Sequence, residues 1–152
     1  MNSNSLSPLT LPIKLKKLKP EASIPTYAKE GDACLDLYAI SVEKDDKDNF
    51  IYGTGIALEI PKGYVGLVFP RSSNMKTFVY APNSVGVIDS GYRGEIKFVY
   101  KSRDFNQVDM PYRTGDRIAQ IMILPYPEVK FIESDTLSNT DRGEGGFGHT
   151  GN

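Results

Sequence analysis

Nine short apolar runs separated by turn-forming residues, with no window of sustained helical periodicity, constrain this chain more than any other feature. In the first run, Leu11, Ile13 and Leu15 alternate with Pro12, Lys14 and Lys16, the period of a half-buried strand. Segments 33–40, 50–60, 64–69, 78–80, 85–88, 94–100, 118–124 and 129–132 continue the series. Pro61-Lys62-Gly63, Pro70-Arg71-Ser72-Ser73, Ser90-Gly91, Tyr112-Arg113-Thr114-Gly115-Asp116 and Pro125-Tyr126-Pro127 punctuate it. Many short strands at such spacing predict an all-β fold, a barrel or sandwich of the jelly-roll kind. Residues 42–49 are charged and read as a solvated turn, and residues 72–77 form the one short helix candidate.

A chain of 152 residues makes one domain with a real core. Residues 1–10 are polar and Ser/Asn-rich and read as a disordered leader, residues 11–137 as the domain, and residues 138–152 as a glycine-rich arm. The leader lacks the apolar core of a signal peptide, and no apolar run is long enough to span a bilayer. One cysteine, Cys34, excludes an internal disulfide and fits a reducing compartment. These features predict a soluble, intracellular, cytoplasmic protein. A net charge of -1 gives no global field for nucleic acid or an anionic membrane, so any anion must be held by local charge. Four of six arginines, Arg71, Arg93, Arg117 and Arg142, stand in motif-like clusters with glycine, proline or acid. Guanidinium suits multidentate oxyanion binding.

Residues 85–97 place Asp89 before a Ser90-Gly91 turn and Tyr92-Arg93 after it, between two short runs that read as a hairpin. A plain hairpin needs only the turn, so an acid, a ring and a guanidinium around it point to a small pocket with a carboxylate. In Pro70-Arg71-Ser72-Ser73 the serines are good N-caps, and a helix start with Arg71 beside it reads either as a capped turn or as an anion site. Asp36 lies in the apolar run 33–37, where a carboxylate needs a partner or a metal. Asp116-Arg117 reads as an ion pair entering a buried strand, and Gln120 as a polar contact from within it. Segment 142–151 holds five of the chain's fourteen glycines. It reads either as a loose tail or as a lid, with Arg142 supplying charge and Phe147 a ring that docks.

Taken in order, segments 33–37, 70–73, 86–95, 115–120 and 142–151 resemble the five sequential motifs of the trimeric dUTP diphosphatase (dUTPase) family, and segment 54–66 is similar to it too. The resemblance covers residues 13–151, nearly the whole chain. It implies a jelly-roll-like β-barrel homotrimer with three sites at subunit interfaces, hydrolysing dUTP to dUMP and pyrophosphate with Mg²⁺. It further implies that Asp89 is the base that activates water for attack on the α-phosphorus. Tyr92 then lies under the deoxyribose and excludes a 2′-hydroxyl, and the backbone of Gly86, Val87 and Ile88 reads uracil, with Asn83 supporting that segment. Arg71, Ser72, Ser73 and Gln120 meet the phosphates. Asp36 reaches Mg²⁺ through water, the metal being held mainly by substrate oxygens. Arg142 takes the γ-phosphate, and Phe147 with Gly148 closes over uracil. Arg93 and Arg117 read equally as structural partners.

Three positions depart from the family pattern. His149 stands where Ser or Thr is usual, and Cys34 where glycine is common. Asn74-Met75 replaces a small apolar pair, which predicts different packing of the short helix. Two alternatives stand beside this reading: a dCTP deaminase of the same fold and trimer, whose catalytic region no motif here resembles, and a non-catalytic trimer that responds to dUTP, against which Asp89 weighs.

Overall fold

The computed structural model describes residues 10–103 and 110–146. Among these, ten strands and one 3-10 turn form three antiparallel sheets. The strands are β1 (Lys14–Lys17), β2 (Leu35–Tyr38), β3 (Ser41–Lys44), β4 (Asn49–Gly53), β5 (Ile56–Glu59), β6 (Tyr64–Phe69), β7 (Val79–Tyr80), β8 (Gly86–Ile88), β9 (Lys97–Ser102) and β10 (Arg117–Pro125). The 3-10 turn spans Ser72–Lys76. One sheet runs β2-β10-β6-β8, a second β3-β4-β9-β7, and β1 with β5 makes a two-stranded ribbon. Pairing strands so distant in sequence is the jelly-roll arrangement expected of the series of short runs.

A single core unites the sheets. Leu37, Val68, Ile118 and Ile121 from the first sheet meet Phe50, Tyr52, Phe98 and Tyr100 from the second, with Ile56 and Leu58 from the ribbon. Burial of so many large side chains is the principal driving force for the fold.

Three expected elements are corrected. Segment 50–60 is not one strand, because Gly55 adopts φ +68 and breaks it into β4 and β5. An alanine there would drive its Cβ into the Ile40 side chain as well as into left-handed strain. Residues 42–44, expected in a solvated turn over 42–49, belong to β3, and Asn49 opens β4; the turn is confined to residues 45–48. There the Asp45 carboxylate accepts from the Lys47 and Asn49 amides and from Asn49 Nδ2. Those donors hold its pKa below the ordinary carboxylate value. Segment 129–132 alternates like a strand but pairs with no strand among the described residues, and its apolar side chains stand exposed.

Tyr52, Tyr100 and Tyr112 pack edge-on or tilted, with ring centroids 5.3–6.1 Å apart. Tyr52 Oη donates to the Tyr112 carbonyl at 3.2 Å and Tyr100 Oη to the Ile118 carbonyl at 2.8 Å. Burial pushes all three phenols up, Tyr52 to about 12. A raised folded-state pKa means that the neutral ring is the stabilising form. Its contribution is complete below the unfolded value near 10 and is lost as pH rises toward 12. Stability should therefore decline steeply above pH 10. Absorbance at 295 nm should show a class of tyrosines that ionise only as the near-ultraviolet circular dichroism collapses.

Candidate active site

Two clefts carry the residues singled out from the sequence. The first, of about 280 Å³, is lined by Asp36, Arg71, Ser72 and Gln120, together with Ala28, Asp32, Ala33 and Cys34. Its centre is Asp36, buried in β2, which receives Arg71 Nε at 2.9 Å on one oxygen and Arg117 Nη1 at 3.1 Å on the other. The register explains the meeting. Gln120 of β10 lies opposite Asp36 on one side and Phe69 on the other, so the ends of β2 and β6 are delivered to one place. Arg71 also donates to Ser73 Oγ at 3.3 Å, and Gln120 Nε2 donates to the Pro70 carbonyl at 3.0 Å. A guanidinium carries five N–H groups and an amide two. Arg71 thus keeps three donors, and Gln120 one, for something in the cleft. Burial, followed by the nearby Asp32 and Asp36 charges, raises the Cys34 pKa, so this thiol is not poised as a nucleophile.

The second cleft, of about 190 Å³, is lined by Val87, Ile88, Asp89, Tyr92, Glu95 and Lys97. The Tyr92 amide donates to the Asp89 carbonyl at 3.0 Å, closing a β-turn. The expected hairpin is a corner instead. β8 pairs with β6, whereas β9 pairs with β4 and β7 in the other sheet. Arg93 holds the corner by donating from Nη1 to the Ser90 carbonyl at 2.7 Å and the Tyr92 carbonyl at 3.0 Å. Tyr92 Oη donates to the Glu95 carbonyl at 3.0 Å, and the Glu95 carboxylate accepts from the Gly55 amide at 2.8 Å. Asp89 is left exposed at the rim.

The other expected site residues lie apart from these clefts. Gly86 packs against Val68 within the β6–β8 ladder, and Asn83 sits in the exposed turn that precedes β8. Ser73 faces Arg71. Arg142 donates from Nε to the Gly145 carbonyl at 2.8 Å and lines neither cleft. Phe147, Gly148 and His149 lie outside the described residues. The sequence reading missed Glu95, Lys97 and Asp32. Glu95 and Lys97 flank Ile96 two residues apart, the one-face spacing that could have shown both beside Asp89.

One chain keeps the two clefts apart. Ile88 lies opposite Gly66, so Asp89 stands at the start of β6, whereas Arg71 follows its end. At about 3.3 Å per residue, the six steps from Val65 to Arg71 separate the two ends by roughly 20 Å.

The dUTPase family model matches residues 20–151. The chain belongs to the dUTPase family. It is 41% identical over 140 residues to the deoxyuridine 5'-triphosphate nucleotidohydrolase of Hydrogenobaculum sp., covering 90% of this chain and 96% of that one. Its fold is similar to that of a glycine-to-serine mutant of the Staphylococcus bacteriophage 80alpha dUTPase, solved with dUpNHpp. There the TM-score is 0.79 and the identity 26%, over 93% of this chain and 99% of that one. It is also similar in fold to a mutant dUTPase from phage phi11 of S. aureus that coordinates a structural Mg(II) ion. That likeness has a TM-score of 0.66 at 24% identity, over 82% and 99% of the two chains.

In this dUTPase the Asp36 carboxylate is the only anion between two guanidiniums whose bonds to it are described. Asp36→Asn should destabilise the fold by about 2 kcal/mol, because both guanidiniums lose a charged acceptor. Thermal unfolding should show a fall in Tm of roughly 6 °C.

Proposed function

We propose that this chain hydrolyses dUTP to dUMP and pyrophosphate at a site assembled between subunits of a homotrimer. The observation that carries the reading is Asp89, exposed on a pinned β-turn and sharing one cleft with the Tyr92 ring. A carboxylate held by backbone bonds on both sides of the turn can orient a water and take its proton as the water attacks the α-phosphorus. The Tyr92 ring, fixed through its hydroxyl, limits the space beneath the sugar and so disfavours a 2′-hydroxyl. Val87 and Ile88 line the same cleft where the base would enter.

The triphosphate then falls to the first cleft, where Arg71, Ser72 and Gln120 retain free donors. Asp32 and Asp36 oppose the Arg71 and Arg117 charges there, so a polyanion needs further positive charge. Arg142 from the arm is one source, with Phe147 and Gly148 closing over the base. Magnesium is another. Among the described residues no group of three His, Cys, Asp or Glu side chains is arranged to hold a metal. Asp36, the carboxylate of the first cleft, would touch a hydrated Mg²⁺ through water, the metal being held mainly by substrate phosphates. When bound, Mg²⁺ neutralises phosphate charge and favours departure of pyrophosphate.

The separation of roughly 20 Å along β6 exceeds what one dUTP spans between its α- and γ-phosphates, which supports a site in which Asp89 of one subunit faces the Arg71 cleft of another. The apolar side chains after β10 favour assembly too. Phe131 is 93% exposed, Ile132 86% and Leu137 90%, more than a stable monomer leaves uncovered in one stretch.

Pyrophosphate release should be selective for dUTP over dTTP, dCTP and UTP; binding of dUTP without cleavage, or ammonia release from dCTP, would overturn the reading. Asp89→Asn should retain dUTP binding while kcat falls by about a thousandfold or more. Mixing Asp89→Asn chains with Arg71→Ala chains, after subunit exchange, should restore part of the activity that neither variant has alone. Absence of any recovery in demonstrably mixed trimers would place the whole site within one chain.

A further inference from the structure

The 3-10 turn Ser72–Lys76 follows directly on Arg71 and begins with Ser72, both assigned above to the phosphates, yet it lacks the usual helix-end supports. It has no side-chain cap at Arg71, no acid in its first turn and no buried residue. Such a short 3-10 turn is weakly self-stabilising. Arg71 and Pro70 tie its entry to Asp36 and Gln120, and within the turn the Asn74 side chain supplies a second tie. Asn74 Nδ2 donates to the Val79 carbonyl at 3.2 Å, and Asn74 Oδ1 accepts from Thr77 Oγ1 at 3.0 Å and from Tyr112 Oη at 3.0 Å. Tyr112 is a fixed post. Its backbone exchanges hydrogen bonds with the buried Tyr52 hydroxyl, and its ring lies against Tyr100 at 5.3 Å. A continuous chain of contacts therefore runs from the tyrosine core through Asn74 to the backbone that presents Arg71 and Ser72.

We propose that Asn74, anchored by Tyr112, is a positioning residue for triphosphate binding, setting the orientation of the Arg71–Ser73 backbone from within the core. The inference rests on the assignment of the Arg71 cleft to the phosphates. Asn74 is where the chain leaves the family's small apolar pattern, and the polar side chain is matched here by a polar partner rather than left unsatisfied. No role for Asn74 at the uracil end is implied, since that cleft is built from β8 and the Asp89 corner.

The test separates positioning from stability. Asn74→Leu removes the tie and also orphans the Tyr112 hydroxyl. The double variant Asn74→Leu/Tyr112→Phe removes that hydroxyl, so the two variants share the loss of the Asn74 amide from the Val79 carbonyl and differ only in the unpaired Tyr112 group, whose removal together with its partner is nearly neutral for stability. Affinities for dUpNHpp and for deoxyuridine are measured by calorimetry, beside Tm and the kinetics with dUTP. Expected for both variants is a weakening of dUpNHpp by about tenfold, a matching rise in KM for dUTP, and deoxyuridine affinity within twofold of the parent. Tm should fall in the single variant and recover in the double, while the triphosphate defect persists in both. Asn74→Gln, which keeps an acceptor for Tyr112 and a donor for the Val79 carbonyl without adding charge beside the phosphates, should restore part of the affinity. Unchanged dUpNHpp binding, parallel losses for both ligands, or a triphosphate defect that recovers with Tm would overturn the inference. A parent protein that cleaves dUTP alongside such results leaves the functional reading standing, whereas an inert parent overturns that reading itself.

Discussion

Strand β6 is the constraint on which the rest of the architecture depends. It is hydrogen-bonded on both edges, to β10 and to β8, and cannot bend its ends together without breaking two ladders. Gly66 lets it lie close to its neighbours, since a Cβ there would come within 2.9 Å of the Ile60 side chain and 3.2 Å of the Ile88 Cβ. The same strand underlies both clefts: its start faces the Asp89 corner and its end leads into Arg71. Its rigidity fixes each half precisely in space and equally fixes the distance between them.

The charges at the far end show how a nearly neutral chain can prepare a place for a polyanion. Asp36 alone in an apolar strand would be costly to ionise, and Arg71 alone at a loop start would be a solvated, mobile side chain. Brought together with Arg117, the carboxylate gains two charge-assisted bonds and Arg71 loses its freedom. The gain in order outweighs the modest loss of donors, because Arg71 still lines the cleft and spends only two of its five N–H groups on acceptors among the described residues. At the other end the ordering is done without charge pairing. Arg93 and the Tyr92 hydroxyl close on backbone carbonyls, which leaves Asp89 without a guanidinium bond that would compete with its proposed role.

Local signals were legible in the sequence and non-local ones were not. The run 64–69, bounded by Pro-Lys-Gly and Pro-Arg-Ser-Ser, is β6 to the residue, because alternation and turn chemistry act within a few positions. The break at Gly55 was hidden, since Thr54-Gly55 sits in an otherwise apolar stretch and only φ distinguishes a left-handed glycine from an extended one. Residues 41–44 carry charge yet form β3, since their ladder with β4 and the turn at Asp45 override polarity. The partners of Asp36 lie 35 and 81 residues away and follow from register alone. The corner at Asp89 read as a hairpin for a similar reason: its turn is local, whereas the sheet that each arm joins is decided by Ile96, fully buried against the second sheet's core.

Segment 129–132 was the one run that read as a strand and found no ladder, and its failure is informative. Alternating Val129, Phe131 and charged neighbours describe a surface meant to be covered on one face, and among the described residues nothing covers it. An exposed phenylalanine and isoleucine side by side would be a standing liability for a free monomer. The divided site along β6 reaches the same requirement from geometry rather than hydrophobicity. One argument counts uncovered apolar surface and the other counts strand rise, and they share no residue. The homotrimer proposed above satisfies both, since a neighbouring copy supplies the missing cover and brings the distant half of the site within reach of the other.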